Sequence, residues 1–272
     1  MRRILRIWPL YYLIITSSYL LINTYYSFKT FVLCLSIFPN LAVALKSGWP
    51  SSPQIWSIGV EEQFYLFWPL FLSILPDKKV IINMCFFFVF FSIFPNLFGF
   101  INKRTFQNEE TQRIIHTLFG LTKFNCMAVG SIMGYALATE KAWIKKLSKD
   151  SIVLFLMITS FSLWFFNFEL KYFNDEFYAI IFSLMIVGIV NANKINIDTK
   201  ISRFLGKISY GIYMYHWMII LVVLKYLKYN DNQPYFNCIL YSTVFIATIV
   251  VSWISHITIE KYFLNLKNRF KS

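Results

Sequence analysis

Charged residues are scarce in this chain, and their scarcity excludes a soluble globular protein. Asp, Glu, Lys and Arg make up 14% of the 272 residues, against roughly a quarter in a typical soluble domain. Hydrophobic residues reach 57%, and they occur in blocks of about twenty, the length that a helix needs to cross a bilayer. The alternation over about ten residues that a β-barrel strand requires is absent. The sequence therefore predicts an all-α, polytopic integral membrane bundle, since helices close their own backbone hydrogen bonds.

Clustered metal ligands are also lacking. The four cysteines show no C-x-x-C spacing and have no histidine pair nearby, whereas a metal site needs several ligands close together. We therefore predict no metal site, and we expect the thiols to be buried packing groups, at Cys34, Cys85, Cys126 and Cys238.

The formal net charge of +13 invites comparison with nucleic-acid-binding proteins. Such proteins concentrate their basic residues on one face or in a tail. Here the 26 Lys and Arg residues occur in short clusters between hydrophobic blocks. Clusters of this kind control membrane topology and attract anionic headgroups, so we predict membrane lipid, and no nucleic acid, as a partner.

Nine hydrophobic blocks can be distinguished, at about 8–26, 30–46, 56–75, 80–100, 123–139, 151–168, 177–192, 208–228 and 238–259. Block 30–46 is short and contains a Pro-Asn pair, so we interpret it as re-entrant or peripheral and predict about eight spans. The basic residues then divide into 17 inside and 9 outside, which by the positive-inside rule makes both termini cytoplasmic.

Neither a cleaved leader nor a second domain is predicted. The basic start is followed by a hydrophobic run with no small-residue cleavage site, which indicates a retained span. No linker, repeat or low-complexity tract divides the chain, so we interpret residues 1–272 as one integral membrane domain.

A first polar segment, W-S-I-G-V-E-E-Q-F-Y at 56–65, follows a Pro-Ser-Ser-Pro stretch at the outer end of a predicted span. Glu61 shares a helix face with Ser57 and Tyr65 because these residues are four apart. Two interpretations stay open. The acids are either interfacial groups near a helix N-terminus, where the helix dipole favours carboxylates, or parts of a functional site.

A second polar segment, S-Y-G-I-Y-M-Y-H-W at 209–217, places Ser209, Tyr213 and His216 on one helix face. A helix that begins at 208 would carry His216 about 12 Å from its start, well below the interface. His216 is either a buried histidine bonded to a neighbouring helix or a chemical group. His116, expected in a loop, and His256, expected near the centre of a span without a polar stripe, are weaker candidates.

With these residues in view, the chain resembles the acyltransferase 3 family, integral membrane enzymes that O-acylate bacterial surface polysaccharides and related acceptors. Residues 3–9 (R-I-L-R-I-W-P) are similar to the family's R-x-x-R-I-x-P, and 56–65 to its W-S-L-x-x-E-x-Q-F-Y. Residues 208–216 (I-S-Y-G-I-Y-M-Y-H) are similar to I-S-Y-G-I-Y-x-x-H. Residues 259–263 (I-E-K-Y-F) are similar to I-E-x-P-F, with Tyr262 where proline is usual.

The resemblance implies roles for these residues. His216 would act as the base in place of the histidine that the family carries in another helix, and Glu61 would orient or polarise a catalytic group or bind the acceptor. Arg3 and Arg6 would meet donor phosphates, unless they only set the topology. Further substrate contacts would come from the remaining polar and aromatic residues of the two segments, which are Trp56, Ser57, Tyr65, Ser209 and Tyr213.

The resemblance also implies the substrates. The donor would be an acyl-CoA, most simply acetyl-CoA, used as a cytoplasmic substrate and not held as a bound cofactor. The acceptor would be a hydroxyl of a cell-surface polysaccharide or its lipid-linked precursor, and the location the bacterial inner membrane. The alternative function is a carrier or assembly partner in polysaccharide export, although no transporter-like internal repeat is present. A purely structural membrane protein is the third.

Two departures from the family pattern stand out. At 123–125 the family tends to have Arg and Asp, where this chain has Lys123 and Asn125. The family also normally opens with two further helices, and the first of them carries an arginine and a histidine generally taken as catalytic. We therefore expect an N-terminally incomplete acyltransferase that is weak or inactive alone.

Overall fold

The computed structural model describes residues 3–21, 27–74, 76, 79–105, 107–192, 195, 198–227 and 235–266. All regular structure in these ranges is helical, which confirms the predicted all-α class. The helices are α1 (Ile4–Leu21), α2 (Phe28–Leu35), α3 (Pro39–Ala44), α4 (Ile55–Ser73), α5 (Val80–Thr105), α6 (Glu109–Thr122), α7 (Phe124–Ala138), α8 (Ala142–Leu147), α9 (Asp150–Phe165), α10 (Asn174–Val190), α11 (Lys200–Tyr226), α12 (Phe236–Ser255), a π-helical turn (His256–Glu260) and α13 (Lys261–Leu266).

Three helical segments are long and apolar enough to cross a bilayer, counted over the described ranges by length and composition. They are Val80–Thr105, Lys200–Tyr226 and Phe236–Leu266, the last being α12 with its π-helical turn and α13. Each has at least 26 residues, more than the roughly 20 that a bilayer requires. These segments support the predicted helical membrane protein, while the count of about eight spans stays a prediction.

The predicted non-spanning block at 30–46 is interrupted by a turn. Its two helices, α2 and α3, have 8 and 6 residues, so neither is long enough to cross a bilayer by itself. Ile37 has a φ of 65° in the turn between them, a conformation that β-branched residues rarely adopt. Pro39 then occupies the first turn of α3, where the missing N–H of proline costs no helical hydrogen bond.

Two helix boundaries differ from the sequence prediction because polar capping residues precede or follow the hydrophobic blocks. Helix α11 begins at Lys200, where Thr199 and Ser202 cap it reciprocally, and not near 208. The connection expected around 101–122 is largely helical. The side chain of Asn108 accepts a hydrogen bond from the Thr111 N–H at 2.9 Å and starts α6. His116 therefore lies in a helix and not in a loop.

The described residues pack as two compact units, Met1–Gly59 with Asp198–Ser272, and Val60–Ile197. In the first unit, residues of α1, α2, α11 and the start of α4 form a buried core. The Tyr11 hydroxyl donates to the Cys34 carbonyl at 2.8 Å, and the Trp49 indole donates to the Ser18 hydroxyl at 3.0 Å. These partners allow the polar ends of two large aromatic side chains to be buried.

The second unit has an aromatic core. Ring centroids of Phe64 and Trp68 are 4.8 Å apart, and those of Trp68 and Phe87 are 5.0 Å apart, both within the range of favourable ring pairs. Phe91 and Phe124 continue the cluster at 5.3 Å. Rings from α4, α5 and α7 therefore hold these helices together.

Antiparallel packing of α11 and α12 places later residues of α12 beside earlier residues of α11. Residues 205–212 share a cavity with 245–249, and residues 212–220 share one with 241–248. Gly211 allows a close approach, because a Cβ at this position would lie 3.1 Å from the Ser252 Cβ and 3.2 Å from Glu260 Oε1. A larger residue would push the two helices apart.

Gly59 provides a test of the packing between α3 and α4. A Cβ added at Gly59 would overlap the ring of Pro39, whose position is set by the backbone of α3. We expect Gly59→Ala to lower the free energy of unfolding by about 1–3 kcal/mol, measured by thermal unfolding in detergent. The control is Gly134→Ala in α7, where no atom lies within 4 Å of the added Cβ. An equal response of both variants would contradict the steric explanation.

Candidate functional site

Ser57 of the first polar segment, at the start of α4, contacts Tyr213 of the second, in the middle of α11, and both lie in the first unit. The hydroxyls of Ser57 and Tyr213 are hydrogen-bonded to each other, and the Tyr213 hydroxyl also donates to the Gln54 carbonyl at 3.1 Å. The Gln54 side-chain amide donates in turn to the carbonyls of Tyr213 at 3.2 Å and Met214 at 3.1 Å. Two predicted substrate-binding residues are therefore in contact, braced by a glutamine that the sequence analysis did not single out.

His216 is oriented by its own helix. Its Nδ1 lies 2.7 Å from the carbonyl oxygen of Tyr213. A carbonyl can only accept, so Nδ1 carries the hydrogen and the neutral ring keeps a lone pair on Nε2. This is the tautomer that a base acting through Nε2 requires. His216 also lines a cavity of about 590 Å³ with residues of α12 that include Tyr241 and Ser242.

The expected depth of His216 in its helix needs correction. Because α11 begins at Lys200, His216 lies 16 residues into the helix, or about 24 Å, and not about 12 Å. The difference comes from the first two polar turns of α11, which hydropathy does not include in the span.

Ser209 shares the helix face of Tyr213 and His216 but has another environment. Its hydroxyl donates to the Gly206 carbonyl at 3.0 Å, within its own helix. It lines a cavity of about 450 Å³ that adjoins the His216 cavity, since Ile212, Phe245 and Thr248 line both. The Ser209 hydroxyl therefore donates within α11 and not to the Ser57–Tyr213 pair.

The carboxylates of the first segment differ in burial. Glu61 is exposed, whereas Glu62 is 4% exposed. Tyr65 is also exposed, and Trp56 is half-buried. Adjacent residues on a helix point about 100° apart, so one of two consecutive acids can face the protein interior while the other faces outward. The sequence motif alone does not separate these two environments.

The basic entry is attached to α11. The Tyr210 hydroxyl donates to the Ile7 carbonyl at 2.8 Å, which joins the first turns of α1 to the second polar segment. Arg3 is half-buried and Arg6 is exposed. The charge of Arg6 acts on the carboxylate of Glu260, so the basic entry and the closing motif lie close together in the first unit.

A second histidine site lies at the π-helical turn. His256 Nδ1 is 3.4 Å from Glu260 Oε2, and Glu260 is 5% exposed. The other carboxylate oxygen, Oε1, is buried and has no hydrogen-bond partner among the described residues. Beside this pair the Tyr215 hydroxyl donates to the Ser255 hydroxyl at 3.1 Å. His256, which we expected near the centre of a span without a polar stripe, therefore has a buried carboxylate one turn further along the chain.

A comparison with protein families identifies the chain. The sequence model of one family, described as an acyltransferase domain (acyltransferase 3), matches residues 1–257. This chain belongs to the acyltransferase 3 family. It is also similar to the "Putative acetyltransferase ORF330" of Acidianus two-tailed virus, with 26% identity over 227 residues. That alignment covers 80% of this chain and 64% of the viral protein, so the chain spans less than two thirds of this relative. No solved structure matches the chain.

Two histidines of this acyltransferase-family chain lie at different levels of the α11–α12 pair. His216 shares its cavity with residues 241–248 of α12, and His256 follows the last of these by eight residues. Along α12, the backbone of His256 therefore lies about 12 Å beyond the last residue that lines the His216 cavity.

The residues at 123 and 125, where this chain departs from the family pattern, both contact α10. Lys123 forms an ion pair with Asp175, and the Asn125 amide donates to Glu176 Oε1 at 2.7 Å. Both acids lie in the first turn of α10, where the helix dipole favours negative charge. Polar side chains therefore join the start of α7 to the start of α10 in this acyltransferase-family chain.

The cysteines have mixed environments. Cys34 is buried as expected and Cys126 is half-buried, but Cys85 and Cys238 are exposed on the protein surface. The expectation of burial was wrong for the last two, because an apolar side chain in a membrane-capable helix can face lipid as readily as protein. Within the described ranges, no three His, Cys, Asp or Glu side chains are grouped to hold a metal ion.

Proposed function

We propose that this chain is a membrane O-acyltransferase that moves an acyl group, most simply acetyl, from a cytoplasmic acyl-CoA to a hydroxyl of a cell-surface polysaccharide or its lipid-linked precursor. Membership of the acyltransferase 3 family supports the transferase activity. The single observation that carries the chemistry is the His216 Nδ1 contact with the Tyr213 carbonyl, which leaves Nε2 free to accept a proton.

The proposed step uses this base directly. His216 Nε2 takes the proton of the acceptor hydroxyl while the hydroxyl oxygen attacks the thioester carbonyl. The new C–O bond forms, the C–S bond breaks, and the proton passes from the imidazolium to the departing CoA thiolate. Gln54 donates to the same Tyr213 carbonyl that accepts from His216. The carbonyl that orients the imidazole is therefore itself held in place by a second hydrogen bond.

The remaining residues would bind the substrates. Arg3 and Arg6 suit the phosphates of the donor, because guanidinium groups form charge-assisted, paired hydrogen bonds with phosphate oxygens. Glu61, exposed on α4, would accept a hydrogen bond from an acceptor hydroxyl. The other proposed substrate contacts are Trp56, Ser57, Tyr65, Ser209 and Tyr213.

The proposed location is the bacterial inner membrane, with both termini in the cytoplasm. The clusters of Lys and Arg support this orientation through the positive-inside rule. The basic entry would then face the cytoplasmic pool of acyl-CoA. Fusing a reporter that is active on only one side of the membrane to either terminus would test the orientation.

Complementation tests the proposed activity. The gene is deleted, and O-acetyl groups on the surface polysaccharide are measured by NMR after return of the 272-residue chain or its Glu61→Gln variant. We expect the chain to restore acetylation, weakly if further family helices are needed, and the variant to restore less. Normal export of the surface polysaccharide, with no O-acetyl groups on it in any strain, would contradict the proposal. Loss of export itself, rescued equally by both chains, would favour the carrier alternative.

A further inference from the structure

A polar cavity of about 590 Å³ lies between the end of α5 and the first half of α6. Its volume is within the range of about 300–1,000 Å³ that small-molecule sites occupy. Every described residue that lines it is polar or charged, although the chain as a whole is 57% hydrophobic. The lining therefore favours a hydroxylated or charged ligand over a hydrocarbon chain.

The corner that forms this cavity is built around one buried amide. Asn102 is 2% exposed, and its side-chain nitrogen donates to the Asn108 carbonyl at 3.0 Å and to Gln112 Oε1 at 3.2 Å. Its Oδ1 has no hydrogen-bond partner in the described part of the chain. Gln107 has a φ of 48° and donates its N–H to the Asn102 carbonyl at 2.8 Å, which closes the turn. These contacts of Asn102 join the end of α5 to the start of α6.

The lining groups identify the class of ligand. The amides of Gln107 and Gln112 each offer donors and an acceptor, which suits neighbouring hydroxyl groups. Lys103 and His116 suit a carboxylate, and Glu109 can accept from a further hydroxyl. Several hydroxyls with one carboxylate on a small ring are the features of a uronic acid. Anionic lipid headgroups call mainly for clustered Lys and Arg, whereas this lining combines Lys103 and Arg113 with three amides and the carboxylate of Glu109.

We propose that this cavity binds a uronic acid residue of the acceptor glycan. The inference rests on the proposed function, because the glycan that it names is the acceptor of that reaction. It also agrees with the charge pattern, which predicts that the connection around 101–122 lies outside the cytoplasm, where a surface glycan is presented.

Direct binding tests the subsite without any acyl donor. The purified chain in phosphatidylcholine nanodiscs is titrated with trigalacturonate and with neutral maltotriose, and binding is followed by calorimetry. We expect trigalacturonate to bind at least about tenfold more tightly, since one charge-assisted hydrogen bond accounts for a difference of that order. Lys103→Glu should weaken trigalacturonate binding by at least about tenfold for the same reason.

Arg104→Glu is the matched control. It makes the same charge change at the next residue, but Arg104 lies over the ring of Phe100 and is not among the residues that line the cavity. We expect this control to change binding by less than about fivefold, because exposed charges interact weakly. His116 is exposed and lines the cavity, so His116→Asn should also weaken trigalacturonate binding.

The outcomes separate this inference from the proposed function. Equal weakening by Lys103→Glu and Arg104→Glu would overturn the subsite in favour of general surface charge. Displacement of trigalacturonate in phosphatidylglycerol nanodiscs would overturn it in favour of a lipid headgroup, and equal binding of maltotriose would overturn the acidic specificity. Acetylation without trigalacturonate binding would overturn the subsite alone. Selective binding without acetylation would support the subsite and count against the transferase.

Discussion

His216→Gln is expected to lower the rate of acyl transfer by about 10²–10⁴-fold, the usual contribution of a positioned general base. Glutamine can still donate to the Tyr213 carbonyl that now accepts from His216, but it has no ring nitrogen to take a proton. The measurement is transfer from radiolabelled acetyl-CoA to membrane glycan, with the amount of folded protein determined for each variant.

Tyr226→Phe is a suitable control for this experiment, because Tyr226 is 78% exposed near the end of the same helix and lies outside the proposed site. Its activity should be unchanged. Full activity of His216→Gln would show that the base lies elsewhere. The same assay on His256→Gln would then ask whether the His256–Glu260 pair provides it.

Replacing both members of the His256–Glu260 pair is expected to stabilise the protein relative to replacing one. Glu260→Leu leaves His256 Nδ1 without its carboxylate partner, which should cost about 1–3 kcal/mol in the free energy of unfolding. Adding His256→Leu removes that unpaired group from a membrane-capable helix and should recover about 1–4 kcal/mol. Both are measured by unfolding in mixed detergent micelles.

The control for this pair is Glu110→Leu, an exposed acid at the start of α6. Its stability should change little, because exposed charges contribute little. A double variant less stable than Glu260→Leu would contradict the prediction, since the His256 side chain would then stabilise the fold through packing. A double variant more stable than the native protein would mean that the native pair lowers stability. The transfer assay could then ask whether activity depends on the pair.

Several features followed from local properties of the chain. Hydrophobic length and the need to close backbone hydrogen bonds identified a helical membrane protein, since both are set within one segment. The break in the block at 30–46 was indicated by Pro39, whose ring restricts the backbone around it. The motifs at 3–9, 56–65, 208–216 and 259–263 were enough to suggest the family that the comparison then confirmed.

Other local signals mark helix starts that hydropathy does not detect. Asn108 followed by two acids is a recognisable start for α6, and Thr199 with Ser202 is a recognisable start for α11. Hydropathy gives no weight to these residues, so it placed the start of α11 too late and left α6 in a loop. The error in the depth of His216 follows directly from the late predicted start of α11.

The composition of the candidate site was decided by tertiary structure. Ser57 and Tyr213 are 156 residues apart in sequence and share a hydrogen bond, and no periodicity within either helix specifies that pairing. The burial of Glu62 beside an exposed Glu61 depends on which face of α4 meets other helices. The π-helical turn aligns His256 with a buried Glu260 next to Gly211. Hydrophobicity and helix propensity act within one segment, whereas these contacts arise only when separate helices pack, and the chain alone therefore determined the class and the family but not the site.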